Sequence, residues 1–274
     1  MSSPSSRTVV VTGASSGIGE ATAKAFLQRG DRVHAAARRL GRMDGLADAG
    51  ACVHHLDLAD EGSIREFAAR ILADGPPRVL VNNAGIGVYG AVEEVPLEEA
   101  RRQFEVNLFG TALLTQLLVP AMREAGGGTI VNLSSIGGLV HTPLGAWYHA
   151  SKHALEGWSD CLRVELRPFG IRVVVVEPGA VQTEFAEIAL APLLGRAAGG
   201  PYESLARRMA AATRRPFESG QASPPSLVAD LVVRATHSPH PRHRYLVGHL
   251  ARPVLWARRL LGSRGYDWMM RRFL

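Results

Sequence analysis

Cysteine is scarce: Cys52 and Cys161 are the two in 274 residues, and they lie far apart. They form neither a CxxC pair nor a metal-ligand spacing. A disulfide framework is excluded, and a reduced, cytoplasmic protein is the default expectation. Long apolar runs are also missing. No stretch reaches about 18 apolar residues, so no membrane span is expected, and Met1 to Ser6 is too short and polar for a secretion signal. Acid is nearly absent from the end of the chain. Residues 237–274 hold eight arginines against Asp267 alone, so a net charge of +6 leaves −1 for residues 1–236. That distribution argues against nucleic acid as a partner of the main body. Lysine is rarer still: of 31 basic residues, Lys24 and Lys152 are the only lysines.

Hydrophobic residues make up 46% of the chain, enough to bury one substantial core, and a single α/β domain over residues 1–274 is expected. Short β-branched runs alternate with longer segments of helical period, the mark of strand-helix-strand units about a parallel sheet. The expected strands are Thr8 to Val11, Arg32 to Ala36, Cys52 to His54, Val79 to Asn82, Thr129 to Leu133, Ile171 to Glu177 and Arg244 to Val247. Their nearly unbroken apolar character suits strands covered on both faces. The predicted fold is a doubly wound parallel sheet of about seven strands with helices on both faces. Residues 186–225, rich in Ala, Gly, Pro and Arg, are the least regular and read as a loop-and-helix insertion over a site. After the last strand, Pro253 to Leu261 and Tyr266 to Phe273 combine Trp256, Trp268, Met269 and Met270 with arginines. Residues 250–274 thus form a basic, partly apolar tail, able to cover a pocket, pack on another subunit or make peripheral contact with a membrane. His237, His240 and His243 recur every three residues, but prolines interrupt them and no Cys or carboxylate completes a set, so no metal is expected.

The first strand runs into Gly13-Ala14-Ser15-Ser16-Gly17-Ile18-Gly19, and helical character follows. Strand, glycine turn and helix N-terminus make a seat for a pyrophosphate: glycines permit close backbone approach, and free N–H groups meet the charge. The spacing is G-x-x-x-G-x-G. The same residues fit the G-x-S-x-G elbow of α/β-hydrolases, but only 12 residues precede Gly13, hardly enough for the strand and loop that such an elbow needs.

With Asn82-Asn83-Ala84-Gly85, Asn107, Ser135, Tyr148-x-x-x-Lys152 and Pro178-Gly179 following in order, the chain resembles the short-chain dehydrogenase/reductase family, closely over about residues 7 to 185. The resemblance implies a Rossmann-type fold, a nicotinamide dinucleotide, and interconversion of carbonyls and alcohols. It assigns catalysis to Asn107, Ser135, Tyr148 and Lys152, with Asn107 orienting a water that relays protons through Lys152. It assigns cofactor binding to Gly13, Ser15, Ser16, Gly17, Ile18, Gly19, Tyr148 and Lys152. Asp57 and Leu58 are implied near the adenine, Asn83, Ala84 and Gly85 beside the ribose, and Pro178, Gly179, Val181 and Thr183 around the nicotinamide.

The residues themselves support that chemistry. Tyr148 and Lys152 lie four apart near the start of a helix predicted from about Ala146 to Arg167, so they share a face. An ammonium beside a phenol is expected to lower its pKa toward the working range and make Tyr148 a usable proton shuttle. A lysine here, in a chain whose ordinary cation is arginine, fits a task that wants a compact charge. Ser135 leaves the Thr129 to Leu133 strand where it would donate to a developing oxyanion; Ser134 competes, and the resemblance favours Ser135. At the end of the second strand, where an acid would hold the ribose of NAD, stand Arg38 and Arg39, which suit a 2′-phosphate. NADP(H) is therefore expected in preference to NAD(H). Ile86, Val88, Leu139, Val140, Leu193 and Leu194 suggest an apolar pocket and a hydrophobic carbonyl or alcohol substrate. A homodimer or homotetramer is the expected assembly. Two rival readings are a catalytically silent dinucleotide-binding regulator, opposed by the intact Ser135, Tyr148 and Lys152, and an interaction protein without cofactor, opposed by the intact glycine turn.

Overall fold

A computed structural model describes residues 7–273; the reading of Met1 to Ser6 lies outside them. The chain runs β1 (Thr8–Thr12), α1 (Gly17–Leu27), β2 (Arg32–Ala37), α2 (Asp44–Asp48), β3 (Cys52–His55), α3 (Glu61–Asp74), β4 (Val79–Asn82), α4 (Leu97–Phe104), a π turn (Glu105–Phe109) and α5 (Gly110–Glu124). It continues through β5 (Gly128–Leu133), α6 (Ala146–Leu166), β6 (Ile171–Pro178), α7 (Phe185–Ala197), α8 (Glu203–Glu218), α9 (Pro225–His237), β7 (Arg244–Val247) and α10 (Ala251–Phe273). All seven expected strands form, each within a residue of its expected bounds. They pair in parallel in the order β3-β2-β1-β4-β5-β6-β7. The order reverses between β1 and β4, and the crevice beyond their carboxyl ends is where such sheets take ligands.

Strand alternation divides the core between two helix layers. Val9, Val11, Val79 and Val81 pack with Phe26 of α1 and Val228 and Val232 of α9. Val10, Leu80 and Ile130 point the other way, onto Phe67 of α3 and Leu114, Leu118 and Met122 of α5. Each such buried side chain contributes about 1.5–3 kcal/mol.

Two expectations change. The continuous helix Leu97–Glu124 contains an 18-residue window apolar enough to cross a membrane, with mean hydropathy 1.3. No such stretch is expected from the sequence; here Leu114, Leu118 and Met122 are buried against the sheet and α3. Residues 186–225, expected as the least regular part and as a loop-and-helix insertion, are more helical than that: most of them form α7 and α8, with Pro192 and Pro216 inside them.

Arg244 opens β7 and gathers three carboxylates: Glu177 at 2.8 Å, Asp160 at 2.6 Å, and Glu156. Glu156 and Glu177 are buried, and burial pushes the Glu177 carboxyl up against the opposing pull of Arg244. Arg244→Met leaves two buried carboxylates, Glu156 and Glu177, without the cation that hydrogen-bonds them. Urea unfolding is expected to show a loss of about 2–3 kcal/mol, below the range for fully buried pairs because a third of the Arg244 side chain is exposed.

Candidate active site

The glycine turn is built for close approach. Gly13 and Gly17 have φ of 68° and 57°, the left-handed region that favours glycine. A Cβ on Gly19 would lie 2.3 Å from the Gly13 carbonyl oxygen, and one on Gly13 2.8 Å from Ala84 Cα. Thr12 and Asn83 fix the turn to β4. Thr12 Oγ1 accepts from the N–H groups of Asn83 and Ala84 at 3.1 Å, and Asn83 Nδ2 donates to the Thr12 carbonyl at 2.9 Å. Asn83, expected beside a ribose, thus holds the turn's backbone. Ser16 at the N-cap of α1 is extended and makes no side-chain cap bond. An uncapped helix N-terminus above a glycine cradle fits a dinucleotide pyrophosphate.

At the end of β2, Arg38 and Arg39 are exposed, and Arg39 Nη2 reaches the hydroxyls of Ser15 and Ser16 at 3.4 Å. Arg42, which sequence reasoning passes over, pairs with Glu184 at 2.5 Å. That pair joins the segment after β2 to the segment after β6, and a Cβ on Gly17 would lie 2.9 Å from Thr183 Cγ2. Asp57 and Leu58 follow β3; Asp57 Oδ1 accepts from the Ala59 N–H at 3.0 Å, and Leu58 is buried. Pro178 ends β6 and Val181 is buried. Gly179 is pressed against the His249 carbonyl, 2.0 Å from where its Cβ would stand. Its lack of a side chain serves that contact.

Tyr148 and Lys152 sit on α6, and Ser135 leaves β5. Ser135 is extended, its oxygen accepts from the Gly137 N–H at 3.0 Å, and its hydroxyl acts on the Tyr148 phenol closely enough to pull the phenol's pKa down. Ser134 Oγ is buried without a partner and lies under Gly138 beside Glu156. Lys152 Nζ donates to the Leu133 carbonyl at 2.8 Å and stands near Gly85. Burial lowers its pKa to about 8, opposed by the charge of Glu156. The expected lowering of the Tyr148 pKa by that ammonium does not hold here. Burial under the rings of Tyr89 and Phe185, with centroids at 5.3 and 5.7 Å, pushes the phenol up, and the Ser135 bond pulls it down. Asn107, in the π turn, accepts from Ile86 N–H at 2.8 Å and donates to the Ile86 carbonyl and Ser151 Oγ at 2.9 and 3.0 Å. Its amide ties Gly85–Ile86 to α6, and its Oδ1 faces the same space over Gly85 as Lys152 Nζ.

The apolar residues expected to line a pocket divide. Leu193 is fully buried with Leu190 and Met209, and Val140 packs under Tyr266 and Leu255; both serve packing. Tyr89 and Phe185, which the sequence does not single out, face Tyr148 instead. Among the described residues no cluster suits a metal.

His149 holds the loop after Ser135. Its Nε2 accepts from the Thr142 N–H at 3.0 Å, so Nδ1 carries the proton and donates to the Gly137 carbonyl at 2.8 Å. Burial lowers its pKa, so the folded protein favours the neutral ring. This contribution to stability is present above the ordinary value of 6.5 and is lost as pH falls below it. His149→Phe strands both backbone partners and is expected to cost about 1–3 kcal/mol, raise KM for substrate more than it lowers kcat, and flatten the acid limb of stability. Urea titrations at neutral and acid pH, with steady-state kinetics, check this.

A parallel sheet, a glycine cradle at its switch point and a Ser135–Tyr148–Lys152 group on the carboxyl side define the class, an oxidoreductase that binds a nicotinamide dinucleotide. A family model described as short chain dehydrogenase matches residues 7–191, and the chain belongs to the short-chain dehydrogenase/reductase family. The uncharacterized oxidoreductase YusZ of Bacillus subtilis is 36% identical over 249 residues, 87% of this chain and 88% of that one. A short-chain dehydrogenase from Streptomyces avermitilis superposes with a TM-score of 0.79 at 34% identity, over 97% of both chains. A metagenomic short-chain oxidoreductase in complex with NADP gives a TM-score of 0.69 at 31% identity, over 88% of this chain and 96% of that one.

Proposed function

We propose that this protein is an NADP(H)-dependent oxidoreductase that interconverts a carbonyl and a secondary alcohol on a hydrophobic small molecule. The observation that carries the reading is the buried Tyr148 phenol on α6, one turn from the buried Lys152 ammonium, with Ser135 at the exit of β5 acting on the same phenol. When bound, the reduced nicotinamide supplies hydride to the carbonyl carbon. Tyr148 gives its proton to the carbonyl oxygen, and burial keeps the phenol in the acid form that reduction needs. Ser135 donates to the same oxygen as charge develops. Lys152 supplies positive charge behind the phenol and binds ribose, while Asn107 holds Gly85–Ile86 against α6 and orients the water that relays protons through Lys152. Arg39, with Arg38, takes the 2′-phosphate; the NADP complex of a similar oxidoreductase supports that preference. Tyr89 and Phe185 around the phenol support an apolar substrate.

The protein acts in the cytoplasm, in keeping with two free thiols. It assembles as a homodimer or homotetramer through the face bearing exposed Leu97, Phe109 and Val164. A panel of aliphatic and aromatic ketones, followed at the NADPH absorbance, tests the reaction. Oxidation of NADPH by at least one hydrophobic ketone is expected; NADPH binding by fluorescence without turnover across the panel would identify a silent regulator.

A further inference from the structure

The chain ends in a helix of two halves. Gly262, at φ 61° and ψ −173°, breaks α10 between them. Each half carries the same spacing, Arg252-x-x-x-Trp256-x-x-Arg259 and Arg264-x-x-x-Trp268-x-x-Arg271. Positions i, i+4 and i+7 share one helix face, and that face points outward. Trp256 is 56% exposed, Trp268 57% and Leu260 77%, and all four arginines are exposed. Arg272 lies over the Trp268 ring at 4.4 Å.

The inner face is committed elsewhere. Leu255 and Tyr266 are buried with Val140, and Val254, Met269 and Met270 pack beside Ile136 and Leu139 of the loop after Ser135. The Tyr266 hydroxyl donates to the His141 carbonyl at 3.1 Å, and Asp267, the tail's single acid, meets the His141 ring at 3.1 Å.

Outward-facing tryptophan between arginines on each half, with Leu260 on the first, suits one kind of partner. A solvated helix needs charge there but gains nothing from exposed indole. A second copy meeting this face about a twofold axis would set arginine against arginine. An anionic lipid surface complements both parts: indoles rest at headgroup depth, and arginines meet the phosphates. We propose that α10 seats this protein on an anionic lipid surface, with its inner face holding the Ile136–His141 loop beside the site. The proposal does not depend on the reaction assigned above.

Co-sedimentation of the full chain with vesicles tests it, comparing equal parts phosphatidylglycerol and phosphatidylcholine with phosphatidylcholine alone. The protein is expected in the pellet with the anionic vesicles and in the supernatant with the neutral ones. Arg252→Gln with Arg259→Gln should lower anionic partitioning about 25-fold, roughly fivefold for each arginine near the surface. Trp256→Glu with Trp268→Glu should leave the protein in the supernatant, with NADPH fluorescence and thermal unfolding reporting that each variant is folded. Wild-type protein in the supernatant with both vesicle types would overturn the proposal, as would tryptophan and arginine variants that pellet like wild type. A tryptophan variant that elutes as a smaller species in gel filtration, with sedimentation unchanged, would assign the face to a second copy instead.

Discussion

Tyr148→Phe is expected to lower the turnover number for carbonyl reduction by about 10³-fold, inside the range for loss of a general acid, while NADPH affinity stays nearly unchanged. The substitution removes one oxygen and keeps the ring that stacks on Tyr89 and meets Phe185 at a tilt, so packing survives. Ser135 retains its bond from the Gly137 N–H. Steady-state kinetics beside an NADPH fluorescence titration check both halves, and a variant that keeps most of its turnover number would end the assignment. The same site sets a pH limb. Burial holds the phenol above its ordinary value, so the acid form persists through neutrality, whereas Lys152 is lowered to about 8. Below that value the ammonium is charged; above it, the charge behind the phenol disappears. kcat/KM for reduction is therefore expected to fall as pH rises through about 8, and Lys152→Met should lower the rate and abolish that limb in a pH–rate profile.

The strands and the glycine turn are legible because they depend on local composition. A β-branched run followed by glycines and a helical period means much the same wherever the chain later goes, whereas the order of the seven strands comes from the structure. The differences have two sources. Proline reads as a breaker, so Pro192 and Pro216 disguise α7 and α8; neighbouring packing supports a helix that a proline only weakens. The other source is distance along the chain. Thr12 and Asn83 are 71 residues apart, Arg42 and Glu184 142 apart, and nothing local in either partner marks the meeting. Tyr148 shows the limit most clearly. Spacing places the phenol and ammonium on one face, but the sign of the phenol's shift depends on the rings of Tyr89 and Phe185, which only the fold brings over it.

Arg39→Asp is expected to raise the KM for NADPH about 10- to 100-fold, the equivalent of a lost charge-assisted hydrogen bond of about 1.5–3 kcal/mol, and to lower that for NADH. Arg39 rather than Arg38 is the stronger choice, because its guanidinium already reaches over Ser15 and Ser16 at the glycine turn. Arg42 is less available: it is paired with Glu184, whose carboxyl that ion pair holds below its usual range. An aspartate in place of Arg39 repels a 2′-phosphate and accepts from ribose hydroxyls, so the two Michaelis constants should move in opposite directions. Equal changes in both would refute the phosphate assignment. Arg38→Asp provides the companion measurement: a smaller effect there would locate the phosphate over the serines, and a larger one would move it to the outer arginine.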